Sequence, residues 1–199
     1  MCGTSMATPA VTGVVALMIE KMVKLGKVKS DIYPSTYKAL LIHGAEDLGR
    51  PGPDFEYGYG RVRVGPTLQL MDDKAFEQVT IEAEGQVVTR TVSVAPNASE
   101  LKVTLVWDDP PNGTLAEDAL TNDLDLVLVS PAGDRRLPFV LDPTPGREAE
   151  PAKSGEDHLN VVEQVLVRQP QAGTWSIEVR FSKKGGAGGQ TFSLVTSVR

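Results

Sequence analysis

From Gln78 to Leu194 the apolar residues recur at every second position, and that period decides most of what the chain can fold into. Val88, Arg90, Val92 and Val94 alternate with Thr89, Thr91 and Ser93, while Leu101, Val103, Leu105 and Trp107 alternate with Lys102 and Thr104. Leu124, Leu126 and Leu128 share one face, and Trp175, Ile177, Val179 and Phe181 alternate with Ser176, Glu178 and Arg180. Successive side chains of a strand point to opposite faces, so each run reads as a strand with one buried side. With 79–81, 137–140, 161–167 and 192–194 added, about eight strands fit, separated by turn signals such as PNG, PAGD and GGAGG. The expectation for residues 75–199 is an antiparallel β-sandwich of jelly-roll type.

Residues 1–74 have a different character. From Thr8 to Val23 the chain is built from Ala, Val, Gly, Leu, Met and Ile, with almost no polar face before Glu20. A helix apolar all round is meant to be surrounded by other elements. Pro9 suits its first turn and Gly26 its end. A second helix is predicted from Ser35, after Pro34, to Gly44, carrying Tyr37, Leu40, Leu41 and Ile42. The stretch RPGPDFEYGYGRVRVG that follows reads as a loop. The expected fold class is therefore mainly β, with two helices of a truncated α/β domain in front of the sandwich and a boundary near 71–77. Two helices leave the first one uncovered. The segment 8–23 is expected to self-associate, to pack on the β half, or to be disordered.

Composition excludes some classes of function. The formal charge of −6, with the one basic stretch from Lys21 to Lys29 broken by Val23, Leu25 and Val28, gives no platform for nucleic acid. Cys2 is the sole cysteine, so no internal disulfide forms. No uninterrupted apolar run reaches the ~18 residues of a membrane span, so no membrane partner is expected. The first residues lack the charged start and apolar core of a secretory signal.

The candidate chemistry lies at Gly3-Thr4-Ser5-Met6-Ala7-Thr8-Pro9. A serine on a small-residue turn entering a helix has backbone N–H groups, its own included, at the positive helix end, where they can stabilise an oxyanion. The nucleophile elbow of α/β-hydrolases requires Gly-x-Ser-x-Gly, and Ala7 stands in place of the second glycine. The whole string, followed by an apolar helix, closely resembles the subtilisin-like serine proteases, or subtilases. Lys38 to Ala45 and Tyr57-Gly58-Tyr59-Gly60-Arg61-Val62 resemble the end of the subtilase domain. Leu105 to Asp109, Asn122 to Leu126 and Asn160 to Glu163 are similar to the β-domain that follows it in one alkaline-protease branch.

The resemblance implies that Ser5 is the nucleophile and that its backbone N–H contributes to the oxyanion hole. It also implies that the triad Asp and His and the oxyanion Asn lie upstream of residue 1. A serine hydroxyl needs a base to take its proton. The expectation is thus a C-terminal piece of a secreted, extracellular endopeptidase acting on protein or peptide substrates. That piece is inactive without the missing N-terminal part of the peptidase domain. The resemblance further implies that Met6, beside the nucleophile, is sensitive to oxidants. His43, near the end of the second helix, reads as a capping residue, and His158, in SGEDHLN, as a surface residue.

Asp108, Asp123, Asp125, Asp157, Asn160 and Glu163 form oxygen-donor clusters beside predicted strands. Asp123 and Asp125 are two apart and share a face. Calcium is bound by such oxygens, and relatives with this β-domain bind calcium; the other reading is a solvated acidic rim. Neither an EF-hand spacing nor a Cys or His cluster for zinc is present, and no other cofactor is expected. The favoured role for residues 75–199 is to clamp the catalytic domain. The alternative function is a non-enzymatic jelly-roll module recognising carbohydrate or protein. Against it, aromatic residues are only 6% of the chain, and Trp107 and Trp175 fall on the apolar faces.

Overall fold

The computed structural model describes residues 3–27, 31–111 and 119–199. Three helices come first: α1 (Thr4–Lys24), α2 (Pro34–Gly44) and α3 (Val64–Asp72). Seven strands of five or more residues follow: β1 (Phe76–Ile81), β2 (Val87–Val94), β3 (Glu100–Trp107), β4 (Asn122–Val129), β8 (Val162–Arg168), β9 (Gly173–Lys184) and β10 (Gln190–Val198). Between β4 and β8 lie the two-residue strands β5 (Arg135–Arg136), β6 (Phe139–Val140) and β7 (Lys153–Ser154). The seven long strands and β5 form two four-stranded antiparallel sheets, β1-β10-β3-β8 and β2-β9-β4-β5, with β6 and β7 as a separate ribbon.

The alternating residues meet between these sheets. Leu101, Val103, Leu105 and Trp107 of β3 and Phe192 and Leu194 of β10 face Leu124, Leu126 and Leu128 of β4. Trp175, Ile177, Val179 and Phe181 of β9 complete the same core. This is a mainly β architecture, a sandwich preceded by helices, as the periodicity predicts. Trp107 Nε1–H donates to the Asn122 carbonyl and Trp175 Nε1–H to the Gln171 carbonyl, so both indoles are buried with their donor satisfied. Across the open side of the sandwich, Arg90 of β2 pairs with Glu77 of β1.

A second core lies on the outer face of β1-β10-β3-β8. There Val106, Val162 and Val195 pack with Ala39 and Leu40 of α2, Leu70 and Met71 of α3, and Val14, Met18 and Met22 of α1. Strand β3 is therefore covered on both faces, which explains why its burial is continuous from Val103 to Trp107 rather than strictly alternating: Thr104 and Val106 are as buried as their neighbours. Polar contacts fix the helix layer in place. Ser35 and Thr36 of α2 bond Ser193 Oγ at 3.1 and 2.8 Å, and Thr36 Oγ1–H donates to Gln78 Oε1 at 2.6 Å.

Three expectations need correction. α3 is a helix where only loop was anticipated before the boundary. Helix α1 starts at Thr4 rather than Thr8, which places Pro9 inside it. And α1, expected to be buried, hides only Val14, Met18 and Met22, leaving Met6, Val11, Leu17 and Val23 exposed. α1 packs against α3, and its Val14, Met18 and Met22 join the cluster on the outer face of the sheet, so of the three outcomes anticipated the helix is ordered on the β half while its outer side stays apolar and exposed. By length and composition α1 would be enough to cross a membrane, a property that core helices of soluble proteins share.

Candidate functional site

Ser5 is exposed and occupies the first turn of α1, immediately after Gly3 at φ 144°. Only glycine holds that backbone conformation without strain. The N–H groups of the first turn have no intrahelical acceptor. The first to find one are those of Met6 and Ala7, which both donate to the Gly3 carbonyl at 3.1 and 3.2 Å. Pro9, lacking an N–H, cannot bond the Ser5 carbonyl four residues back. Ser5 thus sits at a positive helix end with its hydroxyl open to solvent, and no acidic side chain occupies the first turn to neutralise the dipole.

Both histidines make their contacts with residues of the β half. His43 is fully buried, with Nδ1 3.0 Å from Thr104 Oγ1 and Nε2 2.8 Å from Ser197 Oγ. It is a buried linker between α2 and the sheet rather than a cap. His158 Nδ1 lies 2.7 Å from Asp123 Oδ2 and 3.6 Å from Asp125 Oδ1, and its Nε2 is 3.8 Å from Glu156. Sequence spacing gave no sign of that contact, which joins residues 35 apart.

The acidic residues divide into two groups. Asp123, Asp125 and His158 bring ligand-type atoms within 4.8 Å of one another. Asp157 adds to the same negative field, acting with Asp125 on both the Asp123 and the Glu163 carboxyls, and Asp123 acts on Glu163 as well. Asp125 accepts a hydrogen bond from Ser182. Glu163 is completely buried on β8, and its Oε2 accepts the Leu126 N–H at 2.6 Å. It can reach that group because β5 pairs only with Leu128 and Val129, leaving the earlier half of that edge of β4 open. Asp123 Oδ1, Asp125 Oδ1 and Glu163 Oε1 are buried without a hydrogen-bond partner. Burial raises the pKa of Glu163 well above the carboxylate range, opposed by the Leu126 N–H and reinforced by Asp125, Asp157 and Asp123. Burial likewise raises Asp123, although the His158 charge works against it. His158 itself is shifted up: burial opposes its charge, but Asp123, Asp125 and Glu156 outweigh that.

Two expected donors are committed elsewhere. Asp108 Oδ2 accepts the Ser35 N–H at 3.1 Å, tying the start of α2 to the end of β3. Asn160 donates through Nδ2 to both oxygens of Asp157 and so orders its loop. The pair Trp107 and Trp175, the residues a sugar-binding face would need, lie in the core.

Comparison with known proteins places this geometry in context. Residues 1–60 match the family model described as the subtilase family. Fervidolysin of Fervidobacterium pennivorans is 34% identical over 98 residues, which is 47% of this chain and 13% of that protein. The chain thus spans only a small part of the length of that relative. Among solved structures, the lipase BlEst2 of Bacillus licheniformis in its propeptide form shares 17% identity over 61% of this chain and 22% of its own, at a TM-score of 0.34. PliG of Aeromonas hydrophila, a periplasmic inhibitor of g-type lysozyme, shares 16% over 63% and 87%, at 0.33. At such TM-scores neither structure informs the fold or function of this chain. The segment that matches the subtilase family model is the one that carries Ser5, α1, α2 and the glycine-rich loop.

Proposed function

We propose that the chain is the nucleophile-bearing C-terminal part of a secreted, extracellular subtilisin-like serine endopeptidase. The observation that carries this reading is the string Gly3-Thr4-Ser5-Met6-Ala7-Thr8-Pro9, inside the matched segment, with Ser5 at the N-terminus of a 21-residue helix. In the parent enzyme Ser5 Oγ would attack the peptide carbonyl as a histidine takes its proton. The oxyanion would be held by backbone N–H groups, that of Ser5 included. Return of the proton to the leaving amine gives the acyl-enzyme, and water then releases the acid and restores Ser5.

The base, its orienting carboxylate and the remaining oxyanion donor belong to the rest of the peptidase domain. That part is proposed to cover the outer side of α1 at Met6, Val11, Leu17 and Val23. Alone, the 199-residue chain is proposed to be inactive: His43 is completely buried with both ring nitrogens engaged while Ser5 is exposed, and His158 belongs to the acidic cluster beside β4. The sandwich, whose strand order β1-β10-β3-β8 over β2-β9-β4-β5 supports a jelly-roll reading, stabilises the peptidase domain.

Calcium is proposed to assist it at Asp123, Asp125, Asp157 and Glu163, without Asp108. The fit rests on the three unpartnered buried carboxylate oxygens. Buried carboxylates need a compensating charge, and calcium binds hard oxygen donors. A fluorophosphonate serine probe tests the main reading. No labelling of the purified chain is expected; labelling that vanishes in Ser5→Ala would show that this chain assembles its own base and is not an inactive part.

A further inference from the structure

We propose that His43 is an acid-sensitive latch that holds the helical layer on the sandwich. The ring sits in the last turn of α2, completely buried, and is the point where that helix touches both β3 and β10 through hydrogen bonds. One tautomer uses every proton of the network. Thr104 Oγ1 accepts from Gln164 Nε2 at 2.9 Å, so its own O–H is free to donate to His43 Nδ1. Nε2 then carries the proton and donates to Ser197 Oγ. Every donor in the chain Gln164–Thr104–His43–Ser197 is used once, provided the imidazole is neutral.

A second proton on the ring would go to Nδ1, and the Thr104 hydroxyl would then have to turn away and accept from the ring as well as from Gln164. The surroundings disfavour it too. Lys102 of β3 donates through Nζ to the His43 carbonyl at 3.3 Å, and Arg199, at the end of β10, adds a second cation. Glu100 lies 3.9 Å from Lys102 and 4.0 Å from Arg199 and is divided between them. Asp47, just after α2, and Arg168 of β8 lie on the same face with opposite charges, both acting on Lys102, while Thr67 from α3 and Gln164 from β8 bring uncharged polar groups. Burial, then Lys102, then Arg199 hold the imidazole well below its ordinary pKa.

The sign is fixed. A released His43 titrates near pH ~6.5, whereas the docked one stays neutral. Docking is therefore undiminished above that pH and weakens as the pH falls below it, by about tenfold in the docking equilibrium per pH unit. Because α3 packs on α2 and α1 packs on α3, release of α2 also frees the helix that bears Ser5. Acid would thus detach the nucleophile-bearing layer while leaving the sandwich folded.

Hydrogen–deuterium exchange on the full chain between pH 7.5 and 5, corrected for intrinsic rates, tests this. Amides of α2 are expected to lose protection about tenfold per pH unit below pH ~6.5, with β9 amides unchanged as the internal reference. In His43→Gln the α2 profile should be flat over the same range. Equal acid dependence in the variant, or none in the native chain, would overturn the proposal. Nitrogen NMR of the native imidazole gives an answer that does not depend on the variant folding. A neutral Nε2–H ring at pH 6 in the docked chain supports the latch, and a protonated ring refutes it.

Discussion

Replacing Glu163 by Gln should stabilise the cation-free chain and remove most of its response to calcium. The side chain is completely buried; one oxygen accepts the Leu126 N–H, and the other has no partner. In Gln the carbonyl oxygen can keep the Leu126 bond, and the NH₂ group replaces the unpartnered oxygen. It then points donors towards a field made by Asp123, Asp125 and Asp157, where the native side chain must either carry a fourth negative charge or take up a proton to stay neutral. Leaving a buried polar group unsatisfied costs about 1–3 kcal/mol, and more when it is charged. For a chain of this size 1 kcal/mol moves the melting temperature by about 2–4 °C, so Glu163→Gln should raise it by roughly 2–12 °C in chelator. Calcium at a hundred times its dissociation constant would stabilise the native chain by about 2.7 kcal/mol. The variant, having lost a ligand, should gain less than half as much. Melting followed by circular dichroism, with chelator and with calcium, gives all four values. A variant that melts lower than the native chain in chelator, or one that gains equally from calcium, would refute this account of the acidic cluster.

Other perturbations address separate links. Gly60 has φ 100°, and an added Cβ would lie 2.0 Å from the Glu46 carbonyl oxygen. Gly60→Ala should therefore cost about 1–3 kcal/mol or more and break the pairing of Glu46 with Arg61, visible as a lower denaturant midpoint. Leu17 and Val23 are 46% and 60% exposed on α1. Leu17→Lys with Val23→Lys should leave stability within about 0.5 kcal/mol while abolishing any self-association of the isolated chain in light scattering. A native chain that is monomeric at high concentration would show that this surface does not attract a second copy.

The sandwich core was legible because alternation reports directly on which side of a strand is buried: Trp175 to Phe181 obey it without interruption, and Leu101 to Trp107 break it only at Val106, where β3 also faces the helices. Helix α3 was hidden by its own start. Gly65 and Pro66 look like loop residues, yet proline is tolerated in a first turn, where its missing N–H costs nothing. Strands β5 and β7, two residues each, are too short to show a period. The acidic cluster was half legible. Asp123 and Asp125 share a face by spacing alone, but His158 joins them only because the loop before β8 folds back on β4. Asp108, adjacent in sequence to the end of β3, turns instead to the first turn of α2. Such tertiary contacts leave no periodic signal, and the same holds for the buried bonds of His43. Ser5 was legible from its motif, whereas the exposure of α1 depends on which neighbours surround it.

The most direct test of the central claim is the mass of the species in which Ser5 reacts. Secreted material from the native host would be labelled with a fluorophosphonate probe, and the labelled peptide and its parent species identified by mass spectrometry. The account predicts a labelled peptide containing Ser5 in a species heavier than the 21.3 kDa of this chain, with the recombinant chain unlabelled. Labelling at Ser5 confined to a species of 21.3 kDa would contradict it.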